Sequence, residues 1–152
     1  MKTLTSLYRC AERKGVQVFD FPLAHSASMS IEEGEACFID IDRAQIRTEA
    51  DERSRLAHEL GHCVTGSFYS RYTAVDCRQR HENRADKRAI RRLLSVTDLD
   101  KAVAAGYTEL WQLADYFGIT EDLIKKPCAT THTAISQRNY TFRSVLTYGI
   151  KS

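Results

Sequence analysis

The spacing of two histidines constrains this chain more than any other feature. His58 and His62 lie four residues apart in the run RLAHELGH, and on an α-helix this spacing places both side chains on one face, one turn apart. Two imidazoles so placed can bind one metal ion. Glu59 follows the first histidine, so the run matches the H-E-x-x-H pattern of zinc hydrolases, in which zinc lowers the pKa of a water molecule and the glutamate accepts its proton. The alternative is a pair of solvated histidines on an amphipathic helix.

Local signals predict a helix around this motif. Thr48 is placed to cap its first turn, with Asp51 three residues later as in a capping box. Leu56 and Leu60 fall on the side opposite the histidines, so one side can pack into a core while the other faces a cleft. Gly66 predicts the end of the helix.

A zinc site of this type needs a third protein ligand, and Glu82 is the predicted one. On a second helix it shares a stripe with Ala85 and Ala89, and Asp86 lies one turn further along the same stripe. Two carboxylates on an inward stripe are costly to bury without partners, and a metal with its histidines satisfies both. Asp86 is therefore predicted to accept the spare N–H of a ligating histidine, His58.

Cysteines near the motif offer other ligands. Cys63 lies about 100° around the helix from His62, on the core side, which excludes it. Cys77 stays open as a weaker alternative to Glu82. His132, far along the chain, is a weak metal candidate.

Three residues are candidates for stabilising a developing oxyanion: His25, in a loop, and Tyr69 and Tyr72, between the two metal-bearing helices. For each, the simpler alternative is a solvated or packing role without chemistry.

The predicted fold is α+β and zincin-like, with residues 1–127 as the metallopeptidase domain. An N-terminal helix over residues 4–14 precedes strands near 16–21, 27–31 and 36–42, and these strands are expected to form a small antiparallel sheet on the HELGH helix. Residues 97–126 are predicted to be helical, with Thr97, Thr108 and Thr120 as caps. Their pattern resembles a helix-turn-helix, but Glu121 and Asp122 face phosphates poorly, so direct nucleic-acid binding is not expected. Residues 128–152 form a tail without a clear period.

The composition limits which partners and which cellular location are expected for this chain. The 152 residues carry a net charge of +2, which by itself predicts neither nucleic-acid nor membrane binding. No apolar run approaches a membrane span, and the N-terminus lacks the apolar core of a signal peptide. The odd count of five cysteines predicts reduced thiols and a cytoplasmic location rather than a disulfide framework.

These motifs together resemble the ImmA/IrrE family of bacterial metallopeptidases, in its phage and mobile-element form. The resemblance is carried by LAHELGH at residues 56–62, by Glu82-x-x-Ala85-Asp86-x-x-Ala89, and by the stretch from Tyr107 to Thr120. It implies a zinc endopeptidase that cleaves a helix-turn-helix repressor and so derepresses a phage or mobile element.

A function from another class stays open. The chain could be a non-enzymatic regulator that binds a repressor or DNA through its C-terminal helices and uses the metal structurally. The presence of Glu59 favours the enzyme, because a closed structural site does not need a carboxylate beside a water molecule.

Overall fold

The computed structural model describes residues 2–126, which form an α+β fold of six α-helices and one three-stranded mixed sheet. The predictions for the tail at 128–152 and for His132 lie outside the described residues. The helices are α1 (Leu4–Arg13), α2 (Glu49–Thr65), α3 (Val75–Leu93), α4 (Val96–Ala104), α5 (Leu110–Phe117) and α6 (Glu121–Lys125). The strands are β1 (Gln17–Asp20), β2 (Ser28–Glu33) and β3 (Ala36–Ile41), and a 3₁₀ turn covers Arg43–Gln45.

The prediction of an antiparallel sheet is wrong for one of its two strand pairs. The strand order is β1-β3-β2, with β3 parallel to β1 and antiparallel to β2. The physical reason lies in β3, whose Ile39 and Ile41 are 0% and 1% exposed and therefore favour the central position. The segment between β1 and β2 reverses the chain and leaves room for β3 between them.

The helix that carries the histidines packs on this sheet as predicted. Thr48 Oγ1 accepts the backbone N–H of Asp51 at 3.1 Å, and Gly66 ends the helix in the left-handed region with a φ of 61°. Leu56 and Leu60 are fully buried in the same hydrophobic cluster as the central strand. The capped helix therefore holds its histidine face away from the core.

Helices α2 and α3 approach each other closely at Gly61. A Cβ built on this glycine would lie only 2.4 Å from the backbone oxygen of Ala85. Only glycine allows so close an approach. The short distance between α2 and α3 therefore depends on glycine, which has no side chain, at position 61.

The C-terminal helices contribute to the same hydrophobic cluster as α2, and two of their predicted caps are wrong. Ser95, rather than Thr97, caps α4 by accepting the N–H of Asp98 at 3.0 Å, because its hydroxyl lies three residues before that N–H. Glu109, rather than Thr108, is the N-cap of α5, where Gln112 Oε1 accepts the N–H groups of residues 108 and 109. The predicted cap of α6, Thr120, is confirmed.

Two side chains of α2 fix these helices. Arg53 Nη1 donates to the carbonyl of Phe117 at 3.0 Å, and Ser54 Oγ accepts the N–H of Thr120 at 2.9 Å. The turn between α5 and α6 is therefore attached to the helix that carries the motif.

A disulfide links Cys37 on β3 to Cys63 on α2, with their Cα atoms 5.7 Å apart. The prediction of reduced thiols is wrong for this pair, while Cys10 and Cys77 are free. Residue 37 shares the inward face of β3 with Ile39, and that face meets α2. A sequence separation of 26 residues gave no sign of this proximity.

Within residues 2–126, no helix has both the length and the apolar character needed to span a bilayer.

Candidate metal centre

Three predicted ligands converge at one point between α2 and α3. The Nε2 atoms of His58 and His62 are 3.1 Å apart. Glu82 places Oε2 at 3.3 Å from Nε2 of His58 and Oε1 at 3.4 Å from Nε2 of His62. Among the described residues, this is the one cluster of three or more potential metal ligands.

The outer nitrogens of both imidazoles are held by hydrogen-bond acceptors. Nδ1 of His58 lies 2.7 Å from Asp86 Oδ1, and Nδ1 of His62 lies 2.6 Å from the carbonyl oxygen of Ser67. Because a carboxylate and a carbonyl can only accept, each Nδ1 carries the hydrogen in the neutral tautomer. Both Nε2 lone pairs then point inward, towards each other and towards Glu82.

This donor set fits a divalent cation. Two imidazole nitrogens and one carboxylate form the two-histidine, one-glutamate set of catalytic zinc sites, and such a set leaves a position open for water or substrate. Lone pairs that face one another repel unless a positive charge lies between them. A zinc ion would satisfy all three groups at once, and the partners of the two Nδ1 atoms would keep the rings oriented.

The protonation equilibria of His58 and Glu82 also show that this site favours positive charge. Burial opposes the charged form of His58, but hydrogen bonds to Asp86 and Glu82 outweigh it and raise the pKa of the imidazole to about 9. Burial likewise acts to raise the pKa of Glu82, yet the two histidines and Tyr69 hold it well below its usual range. A proton on His58 therefore occupies the electrostatic role that a metal would take.

Glu59 lies beside this centre and is only 6% exposed. Its Oε1 accepts a hydrogen bond of 2.8 Å from the hydroxyl of Ser28 on β2. Its negative charge also acts to raise the pKa of His58, so the carboxylate is close enough to influence the ligand set.

The predicted oxyanion stabilisers differ in position. Tyr69 donates its hydroxyl to Glu82 Oε1 at 2.6 Å, and burial together with this bond raises the pKa of Tyr69 to about 12. Tyr72 is 81% exposed and packs against the guanidinium of Arg71, away from the ligands. His25 is exposed and makes no hydrogen bond or ion pair with a site residue in the described part of the chain.

The cysteine alternatives do not join the site. Cys63 is bonded to Cys37, which removes its thiol from the possible ligands. Cys77 is a free thiol, but it is not part of the ligand cluster that the described residues form.

Sequence reasoning missed three partners of the site: Ser28, the Ser67 carbonyl, and Lys126, whose Nζ lies 3.4 Å from Asp86 Oδ1. Ser67 follows the glycine that ends α2, so a chain reversal back to His62 was the available signal. The contacts of Ser28 and Lys126 span 31 and 40 residues, and no local pattern marks them.

Comparison of the chain with protein-family models, with curated proteins and with solved structures finds no match.

Proposed function

We propose that this protein is a zinc-dependent endopeptidase. The observation that carries the proposal is Glu59, a nearly buried carboxylate held beside three converging metal ligands. Burial of a second carboxylate beside Glu82 is energetically unfavourable, and such unfavourable groups are typical of sites where the carboxylate takes part in the reaction. His58, His62 and Glu82 would hold zinc, which when bound would polarise the scissile carbonyl and activate water.

Each side chain of the site then has its own role in the proposed reaction. Glu59 Oε1 is occupied by Ser28, so Oε2 is the oxygen that accepts the proton of the attacking water and passes it to the leaving amine. Asp86 and the Ser67 carbonyl hold the two ligating imidazoles in one orientation.

Stabilisation of the oxyanion is assigned to Tyr69. Of the three residues predicted for this role, it is the one that contacts the ligand set in the described structure. Its hydroxyl would turn from Glu82 towards the substrate oxygen.

An extended substrate segment is assigned to β2. This strand lies at one edge of the sheet, and its Ser28 contacts Glu59, so β2 is the edge strand next to the catalytic carboxylate. Main-chain hydrogen bonds to such an edge hold a peptide extended without regard to most of its side chains.

The proposed substrate is a helix-turn-helix repressor, which the enzyme would cut once in the cytoplasm and so derepress a phage or mobile element. This part rests on the resemblance to ImmA/IrrE peptidases. An open groove of about 480 Å³ lies between the start of α2 and helices α5 and α6, is lined by none of the proposed catalytic or metal-binding residues, and is the surface we assign to docking of this partner. Trp111, 56% exposed, lines this groove and offers a contact for a folded protein partner.

The test compares the zinc-loaded wild type with Glu59→Gln on two substrates, the repressor encoded beside the gene and casein. Glu12→Gln makes the same chemical change at an exposed position of α1 and is the matched control. We expect one cut in the repressor, little cleavage of casein, and a loss of about 10²- to 10⁴-fold in rate for Glu59→Gln at equal zinc content.

Three results would contradict the proposal in different ways. Near-normal cleavage by Glu59→Gln would refute the general-base role of Glu59. No cleavage of either substrate by the zinc-loaded wild type would leave the non-enzymatic regulator as the better interpretation. Many-site degradation of casein with the repressor left whole would refute the substrate while leaving the hydrolytic chemistry in place.

A further inference from the structure

We infer that Ser28 is a positioning residue for Glu59, an inference that rests on the proposed peptidase function. The two side chains come from different elements, β2 and α2, and meet at 2.8 Å with exposures of 7% and 6%. A hydroxyl that donates to a buried carboxylate makes one of the stronger hydrogen bonds found in proteins. The bond therefore fixes which carboxylate oxygen is free for proton transfer.

The backbone around Ser28 holds its hydroxyl in place. Ser26 Oγ donates to the carbonyl of Ser28 at 2.6 Å and accepts its N–H at 3.2 Å, which forms a tight turn before β2. Ile41 pairs with Ser28 across the sheet, and the N–H of Asp42 donates to the carbonyl of Ala27. The backbone that carries this hydroxyl is thus hydrogen-bonded to the central strand of the sheet.

Glu59 needs such a partner because the ligand set attracts it. Zinc held by His58, His62 and Glu82 would bring positive charge close to this carboxylate. A carboxylate without a fixed donor would turn towards that charge and could become a further metal ligand. Ser28 opposes this rotation, since it holds Oε1 on the side of β2.

Ser30 provides a matched control on the same strand. It shares the inward face of β2 with Ser28, because both pair with inward isoleucines of β3, Ile39 and Ile41. Ser30 is half-buried, and no hydrogen bond joins it to Glu59 in the part of the chain that the structure describes. Removing its hydroxyl tests what a serine on this strand contributes without the contact.

The experiment measures kcat, KM and zinc content for Ser28→Ala, Ser30→Ala and the conservative variant Ser28→Thr. We expect Ser28→Ala to lower kcat about ten- to hundredfold with KM and zinc content unchanged, as loss of a hydrogen bond to a charged group implies. Ser28→Thr should recover most of the rate, and Ser30→Ala should match the wild type. A fall in zinc content, a rise in KM alone, or equal losses in both alanine variants would overturn the inference.

A double-mutant cycle separates this inference from the proposed function. Ser28→Ala and Glu59→Ala are combined, and the equilibrium unfolding of each variant is measured on the protein as purified. We expect non-additivity of about tenfold or more in the unfolding equilibrium constant. If the wild type cleaves no substrate, the proposed function fails, whereas additive effects in the cycle would refute the hold of Ser28 on Glu59.

Discussion

Substitution of Gly61 by alanine tests whether the metal site depends on the close approach of α2 and α3. The added Cβ would lie 2.4 Å from Ala85 O and 3.0 Å from both Ala85 C and Ala85 Cα, all of them backbone atoms. Ordinary contact begins near 3.4 Å, so the two helices would have to separate locally by about 1 Å. No rotamer change can relieve this contact, because no side chain takes part in it.

The expected free-energy change is the balance of two opposing effects. Alanine favours a helix over glycine by about 1 kcal/mol, whereas overpacking of a buried contact costs typically about 1–3 kcal/mol. Because the clash is with backbone, we expect the upper part of that range and a net loss of about 1–2 kcal/mol in the free energy of unfolding.

The effect on the metal site should be larger than the effect on stability. Gly61 lies between the two histidines in sequence, and Glu82 is on the opposing helix. A shift of about 1 Å exceeds the tolerance of about 0.2 Å in metal–ligand distances. We therefore expect Gly61→Ala to weaken zinc binding at least about tenfold, comparable with the loss of a group that orients a ligand.

The assay is zinc competition against a chromophoric chelator, with denaturant unfolding of the same samples. Ala85→Gly in the Gly61→Ala background is the control, and it should not restore zinc binding because the clash involves the backbone of residue 85 rather than its methyl group. Unchanged stability and zinc affinity in Gly61→Ala would refute the close-packing argument.

Three further predictions concern the site and its supports. Asp86→Asn should weaken zinc binding about 10- to 100-fold in the same competition assay, and an unchanged affinity would mean that its contact with His58 does not serve the metal. Cys37→Ser should lower the free energy of unfolding by about 3.5 kcal/mol, from the chain-entropy model for a loop of 26 residues, and denaturant curves that do not respond to reductant would show that the bond to Cys63 is absent. The pKa of His58 is raised from 6.5 to about 9, so the stability that its protonated imidazole contributes is fully present below pH 6.5 and is lost as the pH rises through about 9. Across that window the free energy of unfolding of the metal-free protein should fall by a few kcal/mol, on the order expected from linkage. A flat thermal-unfolding profile from pH 6.5 to 9 would contradict this.

Sequence patterns predicted those parts of the fold that depend on local physics. The helix over residues 49–65 was predicted from a capping threonine, an apolar stripe and a terminal glycine, all of which act within a few residues. The contact of Asp86 with His58 was predictable for a similar reason, because helical spacing places Asp86 one turn from Glu82 on the face of α3 that meets the histidines of α2.

Features set by long-range packing were not predictable in the same way. Alternation located three strands but contained no information about which strand lies in the centre, so the parallel pairing of β1 with β3 was not predicted. The Cys37–Cys63 bond and the Ser28–Glu59 contact were not predictable for the same reason, because both depend on how the sheet is placed against α2.

Every role proposed for this site depends on the binding of a metal ion between His58, His62 and Glu82. The most direct measurement is elemental analysis of the purified protein after incubation with zinc and removal of the excess, beside His58→Ala, His62→Ala and Glu82→Ala. We expect about one zinc per wild-type chain, as the single set of ligands among the described residues implies, and strong depletion in each variant. Full zinc occupancy in Glu82→Ala, or no retained metal in the wild type, would contradict this metal site.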